Sequence, residues 1–382
     1  MIRTLFLQAT RTVYELLARP LMFSTLSAQQ AHEQALHLCA RFDAHPLLLE
    51  ALYRVTMPNC PVTVGGVKLS TPMILAAGFV KGTGFASEEE ALCAVKRGKN
   101  IIPGWRSMPA LVGAVEFGSF TRYPRLGNAG NVLWRNIEGT YSLQNRVGLR
   151  NPGAKAASAF LARNVPNGNF GINIAVSPGV NDMQQETGEV LESLEMFLEA
   201  GVRPAWFTLN LSCPNTEDDP VGNQTEDKAY HLCQAVVRKT ENIPLWVKIS
   251  PNLSMAQRSA LMHAFAETGV RAVIATNTLP KTPPEAPHIT AGVSGSILFD
   301  AALDTVQSLV CEKEKHRYSI DVIGCGGIMD GATYHSYRQL GVVAVQYWSA
   351  LVYRGPLAAA LILSEAEDLA QFRQEGFAIK LK

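Results

Sequence analysis

From about residue 61 onward, short apolar runs alternate with segments whose apolar residues recur at helical spacing. The runs that we predict as strands cover residues 72–77, 113–118, 170–174, 205–210, 244–249, 272–276, 320–324 and 342–347. Predicted helices cover residues 86–97, 154–163, 188–200, 226–241, 254–268, 299–315, 331–340 and 356–372, while residues 98–112 carry no clear period. Strand–helix alternation of this kind predicts an α/β fold, a (β/α)8 TIM barrel, with a doubly wound sheet as the alternative.

The first 56 residues follow a different pattern, which predicts helices only. Apolar residues recur there at three- and four-residue steps, with arginines between them. A second helix is predicted over residues 28–42 after Ser27, a plausible N-cap, and a third over residues 46–55. We therefore divide the chain into an N-terminal helical extension, residues 1–56, and a barrel domain, residues 57–382.

The N-terminal extension is basic and apolar, but charged residues interrupt it before it reaches the roughly 20 apolar residues that span a bilayer. It also lacks the features of a secretory signal, whereas a mitochondrial targeting sequence stays open because its first acidic residue is Glu15. Helices with arginines on one face and apolar side chains on the other would lie in a membrane interface. The alternative is a cap that closes the barrel.

Composition excludes several classes of protein. The chain has 382 residues, which fits a barrel of roughly 250 residues plus an appendage. Its formal net charge of +1 gives no reason to expect nucleic acid as a partner. The seven cysteines form no CxxC pair, so we predict no metal site, and their scatter suits a reducing compartment.

Amides, lysines and glycines recur where the predicted strands end. The strands are followed or closed by Gly78 to Lys81, Asn173, Asn210, Lys248, Thr276 to Thr278, and Gly324 to Gly327. Catalytic groups of a TIM barrel lie at these carboxyl ends of the strands. We therefore predict an active site there, against the alternative of ordinary polar turns.

The segment LNLSCPNT (209–216) is the most specific motif in the chain. Further segments are LAAGFVKG (75–82), NRVGLRNPG (145–153), GINI (171–174), VKISPNL (247–253), ATNT (275–278), GVSG (292–295), IGCGGI (323–328) and VYRGP (352–356). Through them the sequence resembles dihydroorotate dehydrogenases over residues 61–360. The segment RPLMFSTLSAQQAHEQAL (19–36) resembles the membrane-associated class 2 enzymes, whose N-terminal helices admit a quinone.

The resemblance implies oxidation of dihydroorotate to orotate in de novo pyrimidine biosynthesis, with FMN as the cofactor and a quinone as the electron acceptor. The substrate contacts that it implies are Lys81, Asn145, Gly148, Leu149, Asn210, Asn215, Asn277 and Thr278. Neutral carboxamides offer the donors and acceptors that can bind the N–H and C=O edges of such a ring.

The resemblance places the catalytic base at Cys213, on the side of the substrate opposite the flavin. An ordinary thiol has a pKa of about 8.5, so some thiolate is present near neutral pH. The alternative for Cys213 is a buried small apolar residue, which is common for a free cysteine.

The implied cofactor contacts group around the flavin ring and its phosphate. They are Ala77, Gly78, Lys81, Ser119, Asn173, Asn210, Lys248, Thr276, Ser294, Gly295, Gly326, Gly327, Trp348 and Ser349. Barrels of this kind bind phosphate after strands seven and eight, where Gly326 and Gly327 permit close approach of the backbone. Lys248 would face the electron-rich edge of the isoalloxazine ring.

The chain departs from the class 2 pattern at several positions. Cys213 stands where that class usually has serine, Leu149 where it has phenylalanine, and Val80 where it has an acidic residue. Two alternatives therefore stay open: a soluble relative that uses fumarate or another acceptor, and a non-catalytic FMN-binding paralogue. For the class 2 interpretation we expect peripheral association with the cytoplasmic face of the inner membrane, or with the mitochondrial inner membrane in a eukaryote.

Overall fold

The computed structural model describes residues 2–180, 182–211, 225–240, 242–283 and 289–380, and it begins with the expected helices. These are α1 (Ile2–Val13), α2 (Arg19–Thr25), α3 (Ala28–Phe42) and α4 (Leu47–Thr56), with a π-helical segment, Tyr14–Ala18, between α1 and α2. Ser27 caps α3 as predicted, since its side chain accepts a hydrogen bond from the backbone of Gln30. Within the described ranges, no helix has the length and apolar character that crossing a membrane requires.

A closed barrel of parallel strands follows the helical extension. In chain order the strands are β1 (Val62–Val64), β2 (Val67–Leu69), β3 (Met73–Leu75), β4 (Ala114–Phe120), β5 (Leu133–Arg135), β6 (Ser142–Asn145), β7 (Phe170–Ala175), β8 (Trp206–Asn210), β9 (Leu245–Ile249), β10 (Ala272–Ala275), β11 (Leu279–Lys281), β12 (Ala291–Gly295), β13 (Asp321–Cys325) and β14 (Val345–Tyr347). The barrel order is β10–β13–β14–β3–β4–β7–β8–β9. The predicted TIM barrel is confirmed, and each of its strands overlaps a predicted run.

Helices connect and surround the barrel strands. They are α5 (Glu88–Lys96), α6 (Ser107–Val112), α7 (Ala154–Arg163), α8 (Met183–Glu199), α9 (Glu226–Thr240), α10 (Met255–Thr268), α11 (Phe299–His316), α12 (Gly331–Gln339), α13 (Ser349–Arg354) and α14 (Ala358–Lys380). The predicted helices are present, although α8 begins earlier than predicted because Asp182 caps it by accepting a hydrogen bond from Gln185. The short helices α6 and α13 were not predicted.

Two antiparallel additions, which the sequence did not reveal, close the ends of the barrel. At the amino end, the hairpin β1–β2 is held at Gly65, whose N–H donates to Asp321 (2.7 Å) and whose carbonyl accepts from Trp246 (3.1 Å). At the carboxyl end, the segments that follow β4 and β10 supply a sheet in the order β11–β12–β6–β5. This second sheet places new side chains above the barrel, where the site was predicted.

Residues 98–112 join the extension to the barrel through Asp43, which is 4% exposed at the end of α3. The Asp43 carboxylate accepts hydrogen bonds from the backbone N–H groups of Gly104 (2.9 Å), Arg106 (3.1 Å) and Ser107 (2.8 Å). All six residues of α6 are buried, beneath α3 and α4. A helix that is buried on every side shows no amphipathic period, which explains why the pattern failed there.

Candidate active site

One large cavity, with a volume of about 1350 Å³, opens at the carboxyl end of the barrel and extends beneath α2, α3 and α4. Every predicted site residue that the structure describes lines it: Ala77, Gly78, Lys81, Ser119, Asn145, Gly148, Leu149, Asn173, Asn210, Lys248, Thr276, Asn277, Thr278, Ser294, Gly295, Gly326, Gly327, Trp348 and Ser349. Cys213 and Asn215 lie outside the described residues. The structure thus brings the described candidates together, and their individual roles stay predictions.

The barrel beneath this cavity contains a buried carboxylate, Glu116 of β4. Its Oε1 accepts from Asn173 Nδ2 at 2.7 Å. Its Oε2 accepts from Trp206 Nε1 (3.2 Å), Thr208 Oγ1 (2.8 Å) and Gln346 Nε2 (2.9 Å). Among the described residues, no lysine or arginine forms a salt bridge with Glu116, so hydrogen bonds compensate for its burial.

Lys248 stands at the end of β9, above this carboxylate. Its Nζ donates to Gln346 Oε1 at 3.0 Å and approaches Cys325 Sγ at 3.5 Å. Burial raises the pKa of the Cys325 thiol, and the Lys248 ammonium opposes that rise. Lys248 is therefore a buried basic side chain at the cavity wall, and its role in stabilising a reduced flavin stays a prediction.

A chain of hydrogen-bonded amides forms the neighbouring wall. Asn210 Nδ2 donates to Ser119 Oγ at 3.1 Å, and Asn277 Nδ2 donates to Asn210 Oδ1 at 3.3 Å. Asn145, brought in by β6, donates to a backbone carbonyl of β12 at 3.4 Å. Thr278 Oγ1 is buried and has no partner among the described atoms, so a polar group of a ligand would satisfy it.

A glycine-lined recess lies beside β12, β13 and β14. Gly326 and Gly327 have φ values of 144° and 65°, and a Cβ on either would lie 2.5 or 2.4 Å from a β-carbon of α11. Ser349 Oγ and Ser294 Oγ are hydrogen bonded at 2.9 Å across the same recess. Only glycine fits at either position, because a larger residue would collide with the start of α11.

The extension supplies the opposite wall through His32 of α3. Its ring lies 6.0 Å from that of Phe79 and 6.4 Å from that of Trp348, measured between centroids. Burial, reinforced by the positive charges of Lys81 and Arg150, lowers the pKa of His32 to about 4. His32 is therefore neutral at physiological pH, as suits the apolar part of the cavity that it faces.

Arg135, on β5, holds the end of α2 against the same wall. Its Nη2 donates to the carbonyl oxygens of Phe23 (2.7 Å) and Leu26, and its guanidinium lies 4.2 Å from the centre of the Phe23 ring. Arg135 Nη1 and Trp134 Nε1 are buried donors without a partner in the described part of the chain, and both residues line the cavity. Two donors thus stay available where the extension meets the barrel.

Sequence reasoning missed several of these residues, namely Glu116, Gln346, His32, Trp134 and Arg135. The sequence could have indicated Glu116 and Gln346, since each is a lone polar residue within a predicted apolar strand. No local pattern marked the others, because their positions depend on the sheet β11–β12–β6–β5 and on the docking of α3.

Comparison with known proteins identifies the family of this fold and site. The family model described as dihydroorotate dehydrogenase matches residues 60–369. The chain is 29% identical to the dihydroorotate dehydrogenase (quinone) of Methylibium petroleiphilum, over 92% of this chain and 97% of that protein. It is 30% identical to the enzyme of the same name from Bordetella avium, over 89% of this chain and 93% of that one.

A solved structure shares the fold. The crystal structure of DHODH from Eimeria tenella in complex with ferulenol matches with a TM-score of 0.72 and 22% identity, over 91% of this chain and 92% of that one. The extension comprises 56 of 382 residues, so a match that covers 92% of the chain includes part of it. The resemblance found in the sequence is confirmed, and this chain belongs to the dihydroorotate dehydrogenase family.

Proposed function

We propose that this protein oxidises dihydroorotate to orotate in de novo pyrimidine biosynthesis, with FMN as its cofactor and a quinone as its electron acceptor. The observation that carries this proposal is a continuous cavity that joins the strand ends of the barrel to the N-terminal helices. Its relatives over most of the chain are named as quinone-dependent enzymes of this reaction.

The cavity fits FMN in two respects. The family is flavin-dependent, and the one N–H of an oxidised isoalloxazine ring needs an acceptor. Asn173 Oδ1 would be that acceptor, since it is a buried oxygen without a partner among the described residues and belongs to a residue that lines the cavity. Gly326 and Gly327 line the same cavity, and their backbone N–H groups would hold the phosphate.

The roles of this chain's residues follow from that fit. Bound FMN would supply the two-electron acceptor that carbon–hydrogen oxidation needs. Lys248 would hold a positive charge at the ring edge where negative charge develops, and Ser294, Gly295 and Ser349 would contact the phosphate. Ala77 and Gly78, which line the cavity, would lie along the ring.

The amide wall would bind the dihydropyrimidine. Asn145, Asn210 and Asn277 present neutral donors and acceptors, and Thr278 adds its unpartnered hydroxyl. Lys81 would pair with the substrate carboxylate. The proton that leaves the ring carbon would go to Cys213 Sγ, with Asn215 nearby in the sequence.

The region beneath the extension would admit the quinone. Its wall is largely apolar, and includes Met22, Ala35, Leu38 and Leu52. The free donors of Trp134 and Arg135 suit the carbonyl oxygens of a quinone head group, which accept hydrogen bonds. The quinone would thus enter from the side of α2, α3 and α4.

The outer face of the extension would contact a membrane. Large apolar side chains of the extension are exposed outside the cavity lining: Ile2, Leu5, Val13, Leu16, Leu17, Leu21 and Leu47. A helical surface of this kind partitions into the membrane interface without spanning it. We propose peripheral association, at the cytoplasmic face of the inner membrane of a bacterium or at the mitochondrial inner membrane of a eukaryote.

A blocking substitution on α3 tests the proposed quinone route. Ala35 is half-buried and lines the cavity, so Ala35→Trp should cut turnover with a soluble ubiquinone analogue about tenfold or more, which is at least 1.4 kcal/mol. Reduction of the flavin by dihydroorotate, followed in the same variant by stopped flow, should not change.

The matched control is Glu33→Trp, which adds the same indole to the exposed face of α3. It should leave turnover with the quinone analogue as in the wild type. A wild-type quinone rate in Ala35→Trp would contradict the route. Faster turnover with fumarate than with the quinone would favour the soluble type of enzyme instead, which the Cys213 and Leu149 pattern motivates.

A further inference from the structure

Glu116 is a buried, acidic residue for which the proposed reaction has no direct use. It is 0% exposed, and its four partners all donate hydrogen bonds to it. A carboxylate only accepts hydrogen bonds, so it cannot donate one to a neighbouring amide. Burial of such a group is costly even when it is hydrogen bonded, so its presence in a TIM-barrel core indicates a purpose beyond packing.

The carboxylate decides which way two neighbouring amides point. A carboxamide has a donor on one side and an acceptor on the other, so a partner that only accepts fixes its orientation. Asn173, which lines the cavity, turns Nδ2 toward Glu116, and this leaves Oδ1 as a buried polar atom without a partner among the described residues. Gln346 turns Nε2 toward Glu116 in the same way, which leaves its Oε1 to accept from Lys248 at 3.0 Å.

We infer that Glu116 is a positioning residue that fixes the Asn173 carboxamide so that its oxygen, and not its nitrogen, faces the cofactor. The inference rests on the proposed binding of FMN. The ring N–H of oxidised flavin requires an acceptor, whereas an inverted amide would present a second donor to it. Glu116 does not line the cavity, but it thus decides whether Asn173 presents an acceptor or a donor to the cofactor.

The substitution Glu116→Gln keeps the shape of the side chain, but the new amide no longer fixes the orientation of the Asn173 carboxamide. Three of the four donors meet Oε2, and Asn173 alone meets Oε1. The new amide nitrogen therefore takes the place of Oε1, where it displaces the fewest hydrogen bonds. Asn173 must then rotate to accept from it, and its Nδ2 turns toward the ring N–H of the flavin.

A second substitution should restore an acceptor toward the cofactor. In the Glu116→Gln background, Asn173→Asp places a carboxylate that accepts from the new amide with one oxygen and offers the other to the cavity. The pair then has the same total charge as in the wild type. Asn173→Asp alone sets two carboxylates side by side, which is unfavourable because like charges repel.

The experiment measures FMN release when the holoenzyme is diluted, from the rise in free-flavin fluorescence. Glu116→Gln should raise the Kd for FMN about 10–100-fold, the cost of one hydrogen bond replaced by two opposed donors. The double variant should recover most of that affinity. Thr208→Val, which removes another donor from the same carboxylate without turning Asn173, should leave the Kd within about threefold of the wild-type value.

A chemical probe gives an independent readout. 3-Methyl-FMN lacks the ring N–H, so the wild type should bind it more weakly than FMN, whereas Glu116→Gln should scarcely discriminate between the two. Unchanged FMN affinity in Glu116→Gln, or wild-type discrimination against 3-methyl-FMN in that variant, would overturn this inference alone. Failure of the wild type to bind FMN would overturn the proposed function, and the inference with it.

Discussion

Cys213 is the residue on which the proton transfer of the proposed reaction depends, and its role follows from the sequence motif alone. Cys213→Ala should slow the reduction of the bound flavin by dihydroorotate about 10²–10⁴-fold, the usual contribution of a general base. FMN should stay bound, because the proposed cofactor contacts lie on other residues. Stopped-flow absorbance of the holoenzyme under anaerobic conditions measures this rate.

The conservative variant separates loss of the base from loss of packing. Cys213→Ser should keep part of the activity, with the pH optimum moved upward because a serine hydroxyl gives up its proton less readily than a thiol. A wild-type rate in Cys213→Ala would remove this residue from the mechanism.

Single residues of the site were predictable where a family-like motif met the end of a strand. Asn173, Asn210, Lys248 and Asn277 were found in this way, and all of them line the cavity. Glu116 was not found, because a lone polar residue in an apolar strand does not reveal what its neighbours across the barrel will be. Its four partners come from β7, β8 and β14, which only the closed barrel brings together.

At the level of secondary-structure elements, Asp43 is the connection that fixes α3 on α6. Asp43→Ala would leave three backbone N–H groups, those of Gly104, Arg106 and Ser107 at the start of α6, without their acceptor. We expect the free energy of unfolding to fall by about 2–4 kcal/mol, as for other buried donors that lose a charged partner. Chemical denaturation monitored by tryptophan fluorescence measures this loss.

Asp43→Ala should also change the KM for quinone more than the KM for dihydroorotate. Because Ser107, Met108 and Leu111 line the cavity beneath α3, loosening this contact should raise the KM for quinone and leave the KM for dihydroorotate nearly unchanged. Glu33→Ala, on the exposed face of α3, is the matched control. Wild-type stability in Asp43→Ala would show that the contact does not hold the extension in place.

The barrel strands were predictable because each contains a run of apolar residues. The long helices were predictable because their apolar residues recur at helical spacing. The strands β5, β6, β11 and β12 were missed because none contains a continuous apolar run and each is stabilised by partners distant in the sequence. The helix α6 was missed for the opposite reason, since it is buried on all sides and has no polar face. Local pattern therefore predicts the barrel but not the additions that complete the site.

For the whole molecule, the cavity exists because contacts on several sides fix the extension to the barrel, Arg135 beside α2 being one of them. Asp43 holds one side, and on the other Arg354 pairs with Glu15 at 3.2 Å while Tyr14 donates to a backbone carbonyl of α13 at 2.8 Å. Arg19 donates to another carbonyl of α13 at 2.8 Å. The space between these contacts is continuous with the strand ends, so a quinone and a dihydropyrimidine would reach one flavin from different directions.

The most direct test of this account is the spectrum of the wild-type holoenzyme mixed with dihydroorotate in the absence of oxygen. The visible flavin absorbance should bleach, orotate should form in equal amount, and a ubiquinone analogue added afterwards should restore the absorbance. A protein that stays yellow with dihydroorotate would contradict the proposed reaction and would identify the chain as a flavin-binding relative without this activity.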